Sequence, residues 1–222
     1  MTSSDDLVVP ARATRTGLPA WVAAAGDLVA PSGGRAGTVY LVLDHSTSMG
    51  DPGKMAQLRR GALRFFLEAV RRDYAVGAVR FASDTGILVG AGIDAHRFWK
   101  RLHDLVPYGS TAMAEGIALT TSRFRHRAGD RVMILITDGV PDDAWRAVAA
   151  ARRARALGIT LIAIGTGNAD RDFLATLTGR PELSTLVTTE GLAGALSERA
   201  ERLGATAAAP RNAQERSRHD RS

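Results

Sequence analysis

Three short runs of consecutive apolar residues constrain this chain more than any other feature: Thr38-Val39-Tyr40-Leu41-Val42-Leu43, Arg131-Val132-Met133-Ile134-Leu135-Ile136, and residues 159–164. Each is strand-length, and the first is rich in strand formers. Runs that are apolar at successive positions read as strands buried on both faces of a sheet. Between them, helical periodicity takes over. Across residues 54–72, Met55, Leu58, Ala62, Phe65, Phe66, Ala69 and Val70 recur on one face, with Arg59, Arg60, Arg64 and Arg71 on the other. Two further strands are predicted over residues 76–81 and 87–89, joined by the turn Ala82-Ser83-Asp84-Thr85-Gly86. So short a connection makes them antiparallel, because a parallel crossover needs a dozen or more residues.

Further helices are expected over residues 94–105, with Phe98, Leu102 and Leu105 on one face, and over 112–125. Another runs from Pro141 to Leu157 and stops at Gly158, as proline early and glycine just past the end suggest. A short helix over 170–177, a last strand over 185–187 and a closing helix over 192–203 complete the alternation. The predicted fold is therefore α/β and Rossmann-like: a mostly parallel six-stranded sheet with one antiparallel edge strand and helices on both faces.

The 222 residues suffice for one well-buried domain with short extensions. Residues 1–37 read as a leader ending in the flexible run Pro31-Ser32-Gly33-Gly34-Arg35-Ala36-Gly37. Residues 18–30 within it suit a short helix that packs on the domain. The domain proper is expected over 38–203, and residues 204–222, small and charged, as a disordered basic tail. No stretch approaches the roughly 20 apolar residues of a membrane helix. The apolar part of the leader is broken by Asp27 and follows Asp5, Asp6, Arg12 and Arg15, unlike a signal peptide, so a cytoplasmic location is expected.

The absence of cysteine excludes disulfides and thiolate metal sites, leaving oxygen or histidine ligands. Basic residues outnumber acidic ones, 29 to 23, for a net charge of +6. The arginines are spread over helix faces and the tail without a nucleic-acid motif, so neither nucleic acid nor membrane is an expected partner.

Binding sites in such sheets form at the carboxyl ends of the strands. Three loops there or beside them carry oxygen ligands: Asp44-His45-Ser46-Thr47-Ser48-Met49-Gly50, Gly109-Ser110-Thr111-Ala112-Met113, and Thr137-Asp138-Gly139-Val140-Pro141-Asp142-Asp143. Together they resemble the von Willebrand factor A (vWA) family and its metal-ion-dependent adhesion site. That family pairs Asp-x-Ser-x-Ser in a first loop with a threonine in a second and an aspartate in a third. The resemblance covers about residues 38–203.

The resemblance implies a Mg2+ or Mn2+ site at Asp44, Ser46, Ser48, Thr111 and Asp138, and hard cations of this kind prefer oxygen ligands. Ser46, Ser48 and Thr111 would donate hydroxyl oxygens directly. Asp44 and Asp138 would act largely through water or through hydrogen bonds to those hydroxyls. A Glu or Asp carboxylate of a protein partner would complete the shell. Among family members the chain looks like short cytoplasmic bacterial adaptors associated with tellurite resistance and stress clusters, or with AAA-type ATPase partners. It departs from the family at Thr47, where glycine is common; a threonine there is stiffer and needs room.

The enzyme alternative is haloacid-dehalogenase-like phosphotransfer, which needs a second acid where this chain has Ser46. No phosphate-binding Gly-x-x-x-x-Gly-Lys-Ser/Thr loop and no Gly-x-Ser-x-Gly elbow is present, and Gly165-Thr166-Gly167 lacks a third glycine, so no catalytic residue is expected. His45, between ligand positions, is expected at an exposed rim. Glu115, Asp142 and Asp143 open helices, where carboxylates cap or complement the dipole. Arg146, Arg152, Arg153 and Arg155 read as a solvated face. Trp99 and Trp145 are expected to be core or half-buried, and Trp21 either docks on the domain or anchors a partner.

Overall fold

A computed structural model describes residues 36–204 of the chain. The leader helix expected over 18–30, Trp21 and the tail over 205–222 lie outside these residues. Six strands form one sheet: β1 (Gly37–Asp44), β2 (Tyr74–Phe81), β3 (Thr85–Val89), β4 (Asp130–Thr137), β5 (Thr160–Gly165) and β6 (Ser184–Leu186). Its order is β3-β2-β1-β4-β5-β6, parallel throughout except for the β2–β3 hairpin at the edge. The helices are α1 (Lys54–Arg71), α2 (Ala95–His103), α3 (Met113–Arg123), α4 (Ala144–Ala156), α5 (Arg171–Thr178) and α6 (Leu192–Glu201). A 3-10 turn, Thr47–Gly50, follows β1, and another, Pro181–Leu183, precedes β6.

The continuous apolar runs have the cause inferred for them. Every residue of β1 is buried, and alternate residues feed opposite layers. Val39, Leu41 and Leu43 join the α1 and α6 side chains Leu58, Phe65, Phe66, Leu192 and Leu196. Tyr40 and Val42 join Ile117 of α3, Ala147 and Ala151 of α4 and Leu174 of α5 on the other face. On one layer Phe66 stacks on Phe98 with centroids 4.5 Å apart, and on the other Tyr40 meets Phe124 edge-on at 5.4 Å.

Helix starts follow side-chain caps more closely than proline. Asp94, Asp143 and Asp170 each accept a hydrogen bond from the backbone N–H three residues on, opening α2, α4 and α5. The helix expected from Pro141 therefore begins at Ala144, and residues 141–143 remain a loop at the sheet's end. Trp145, expected to be buried at least in part, is 79% exposed. The buried stripe of α4 is Ala147, Ala151 and Ala154, and at about 100° per residue position 145 falls on the opposite side. Trp99 is partly buried against the core, as expected.

Chain direction fixes where a site can lie. From β1 the chain runs to β2 and the edge strand β3, then returns to β4 on the other side of β1. The order reverses between β1 and β4, and in open α/β sheets ligands bind beyond the carboxyl ends of strands at such a point. Register then brings these ends together, since Leu43 pairs with Ile136 and the next residues are Asp44 and Thr137.

One close approach tests the packing. Gly77 on β2 lies opposite Tyr40, and a Cβ there would fall 2.4 Å from Tyr40 Cε1. The ring cannot retreat, being fully buried against Phe124 with its hydroxyl accepting from the Ala91 N–H. Gly77→Ala should therefore cost about 1–3 kcal/mol by overpacking, read as a lower urea midpoint with an unchanged slope.

Candidate metal centre

Asp44, the last residue of β1, is fully buried. Its carboxylate is held from two sides: Oδ1 accepts the Ser46 N–H at 2.8 Å, and Oδ2 accepts the Thr137 hydroxyl at 2.6 Å. Burial raises its pKa above the ordinary carboxylate value, the two hydrogen bonds pull it back, and the nearby Asp138 charge pushes it up. The 3-10 turn after β1 then presents Ser46 and Ser48 with hydroxyl oxygens 3.2 Å apart. Ser48 donates to Asp138 Oδ1 at 2.7 Å, tying the first loop to the third. Of these groups Ser48 is solvent-exposed, while Asp44, Ser46, Thr111 and Asp138 are buried, so the site opens outward at Ser48.

The second loop is fastened to the first by backbone. Tyr108 N–H donates to His45 O at 2.8 Å, and Thr47 N–H donates to Gly109 O at 3.1 Å. The Thr47 hydroxyl adds a bond to Gly109 O at 2.9 Å, so the residue that departs from the family's glycine is used as a clasp. Gly109 has φ +72°, a conformation that a side chain would strain, and a Cβ there would meet the Ser83 hydroxyl. The second and third loops are joined reciprocally, Thr111 N–H to Asp142 Oδ1 at 2.9 Å and Asp142 N–H to Thr111 O at 3.1 Å. All three loops are thus bonded pairwise. Among the described residues, the Thr111 hydroxyl makes no hydrogen bond of its own.

Two side chains differ from their expected roles. Asp142 does not cap a helix; it fastens loop to loop, while Asp143 is the cap. His45 is 2% exposed rather than a solvated rim residue. Its ring packs edge-on to Tyr108 at 5.0 Å, Nδ1–H donates to Val106 O at 2.9 Å, and Nε2 faces Arg80 Nη1 at 3.4 Å. Arg80 in turn forms a two-pronged pair with Asp84, which also accepts the Tyr108 hydroxyl. Glu115 pairs with Arg146 at 2.8 Å across the starts of α3 and α4.

Lys54 was not among the residues singled out from sequence. Its ammonium lies 2.6 Å from Asp138 Oδ2 and 2.7 Å from Asp51 Oδ2, and donates to Ser48 O at 3.1 Å. Burial works to lower its pKa, but the bonds to Asp138 and Asp51 outweigh it and the pKa is raised. A signal was present: a lysine at the first position of a helix opposes the dipole, so it needs carboxylate partners to be there.

The donor set suits a hard divalent cation. Among the described residues no group of three or more His, Asp or Glu side chains converges as a metal cage, so any ion here must rely on hydroxyls. Metal–oxygen bonds near 2.1 Å place neighbouring octahedral ligands about 3.0 Å apart, and the Ser46–Ser48 hydroxyl separation of 3.2 Å lies close to that edge.

The His45 environment has a pH consequence. Burial holds its pKa below the ordinary 6.5, with Arg80 adding to the effect and the Val106 bond and Asp84 opposing it. The unfolded chain then binds the proton first, so this contribution to stability is present above pH 6.5 and lost as pH falls through the folded value. Urea midpoints should drop between about pH 7.5 and pH 5, and His45→Asn should flatten that slope.

The sequence pattern of the von Willebrand factor type A domain matches residues 38–199. The collagen alpha-5(VI) chain of Mus musculus is 33% identical over 156 residues, which are 65% of this chain but only 6% of that one. The vWF domain of the type V pili tip protein Mfa5 from Porphyromonas gingivalis superposes with a TM-score of 0.69 at 12% identity, covering 76% of this chain and 95% of that one. Manganese-loaded TRAP protein of Plasmodium vivax gives 0.61 at 21% identity, covering 72% of each. With the pattern spanning most of its length and the fold shared, the chain belongs to the von Willebrand factor type A domain family.

Proposed function

We propose that this chain is a protein-binding module whose contact is made through a divalent ion, Mg2+ or Mn2+, held by Ser46, Ser48, Thr111, Asp44 and Asp138. The observation that carries the reading is the pair of adjacent hydroxyls at the mouth of the site, 3.2 Å apart, backed by two buried carboxylates. Ser48 gives its proton to Asp138 and so keeps its lone pairs free for a cation. The ion would supply a Lewis-acidic position open to a Glu or Asp side chain of the partner. The manganese in the related TRAP structure supports the choice of ion.

The surface around the site supports a protein partner. Six large hydrophobic residues are exposed among those described, and four of them, Val106, Tyr108, Val140 and Trp145, lie in the second loop, the third loop or the start of α4. An exposed tryptophan beside a charged pair, Arg146–Glu115, has the composition of an interface anchor with a polar rim. The narrower setting, a cytoplasmic bacterial adaptor of the tellurite-resistance or stress group or one serving an AAA-type ATPase, rests on family resemblance alone. No helix among the described residues is long and apolar enough to cross a membrane. Phosphotransfer finds no support, since Ser46 occupies the place of the needed general acid and hydrogen-bonds as a hydroxyl.

Thr111→Ala gives the cleanest test, because it removes an oxygen that holds nothing else together. Metal-free stability should stay within about 0.5 kcal/mol of wild type. Saturating Mg2+ or Mn2+ should stabilise the wild type by about 2.7 kcal/mol at a hundred times Kd, and the variant by far less. Equal shifts in both, or none in either, would sink the assignment. Trp145→Ala should leave the metal shift intact and lower recovery of a partner captured from lysate with Mg2+, against an EDTA control, with an affinity loss on the order of tenfold or more.

A further inference from the structure

The geometry points to Lys54 as a resident counter-cation: it keeps the divalent ion weakly held when alone and lets a partner carboxylate tighten it. This rests on the reading that the site takes a divalent ion; what it adds is the coupling between ion and partner, and the residue that sets it.

Lys54 is committed to the site. Its three ammonium donors go to Asp138 Oδ2 at 2.6 Å, Asp51 Oδ2 at 2.7 Å and Ser48 O at 3.1 Å. The lysine side chain is 10% exposed and that of Asp138 fully buried, so their attraction is poorly screened, whereas Asp51 is 63% exposed. The loop after β5 covers the pair. Asn168 N–H donates to Asp138 O at 3.0 Å, and Gly167, at φ +60°, passes so close that a Cβ would lie 3.2 Å from Lys54 Nζ. Lys54 also divides the work of Asp138: one carboxylate oxygen is bound by the ammonium, which leaves the other to accept from Ser48.

Charge counting gives the consequence. Asp44 and Asp138 bring two negative charges to the buried site, and Lys54 cancels one. A divalent ion then leaves a surplus positive charge, which a single carboxylate from a partner neutralises. Without Lys54, the ion alone would balance the two acids, and a partner carboxylate would bring an excess negative charge. Binding free energies are reciprocal, so a carboxylate that binds better because the ion is present must tighten the ion by the same factor. Lys54 therefore makes occupancy by the ion conditional on the partner.

The test uses the full chain, with Mn2+ as the metal and acetate as the carboxylate probe. Free Mn2+ is followed by electron paramagnetic resonance, with and without acetate, for wild type, Lys54→Met and Lys54→Arg. Removing a unit charge a few ångströms from the ion should tighten Mn2+ binding in Lys54→Met by at least about tenfold. Acetate should tighten Mn2+ in wild type and in Lys54→Arg, and much less in Lys54→Met. The metal-free melting temperature of Lys54→Met should fall, since Asp138 is left buried without its partner, and Mn2+ should restore it. A lysine that merely packs would give the opposite affinity result. A folded Lys54→Met that binds Mn2+ no tighter than wild type overturns the proposal. Should Lys54→Met fail to fold, Lys54→Gln, which keeps a donor to Asp138 without charge, is read in the same way. Wild type that binds no Mn2+ overturns the metal site and this proposal together; wild type that binds, with the variant no tighter, overturns this proposal alone.

Discussion

Asp44 is an acid at the end of a strand buried along its whole length, and the neighbouring groups make its charge tolerable there. Desolvating a carboxylate costs several kcal/mol even after relaxation, and a second one, Asp138, sits close enough to raise its pKa further. The compensation comes from residues that sheet register supplies. Pairing Leu43 with Ile136 sets Thr137 beside Asp44, where its hydroxyl donates. The turn after β1 directs the Ser46 N–H back onto the same carboxylate. Asp138 receives Lys54 and Ser48. Each of these donors belongs to a different element, so placing the two acids is the same problem as folding this end of the sheet.

How much of this was legible in the sequence depends on the kind of contact. Continuous apolar runs and helical periodicity gave the strand order's raw material, because burial on both faces leaves no polar positions in β1 or the core of β4. The hairpin was legible from a short turn. The five oxygen-bearing residues were legible only as a pattern spread over three loops, since no single loop is distinctive. Long-range side-chain contacts were not. Lys54 meets Asp138 across 84 positions, and Asp142 meets Thr111 across 31, so local reading gave Asp142 a capping role and Lys54 none. His45 was expected at the rim because alternate loop positions point away from a ligand; it does point away, but into Val106 and Tyr108 rather than into water.

The chain matches only 6% of the collagen alpha-5(VI) chain while covering nearly all of the Mfa5 domain it resembles. The same fold is thus found inside a very long protein and as a domain close to this one in size. Fold alone does not name a partner. What can differ between members is the ground around the conserved mouth, and here that ground is apolar and aromatic, with Tyr108 and Trp145 standing on either side of loops whose backbones are fixed.

The pairwise bonding of the three loops has a mechanical meaning. Three bars pinned at their corners make a figure that cannot shear, whereas an open chain of two can swing. Here the joints are His45/Thr47 with Tyr108/Gly109, Thr111 with Asp142, and Ser48 with Asp138. Breaking any one turns a braced frame into a hinge about the remaining two, so the loops are not released singly. The spacing of the oxygens at the mouth is then a property of the frame, carried by the backbone of the sheet, and whatever docks there meets a surface already braced.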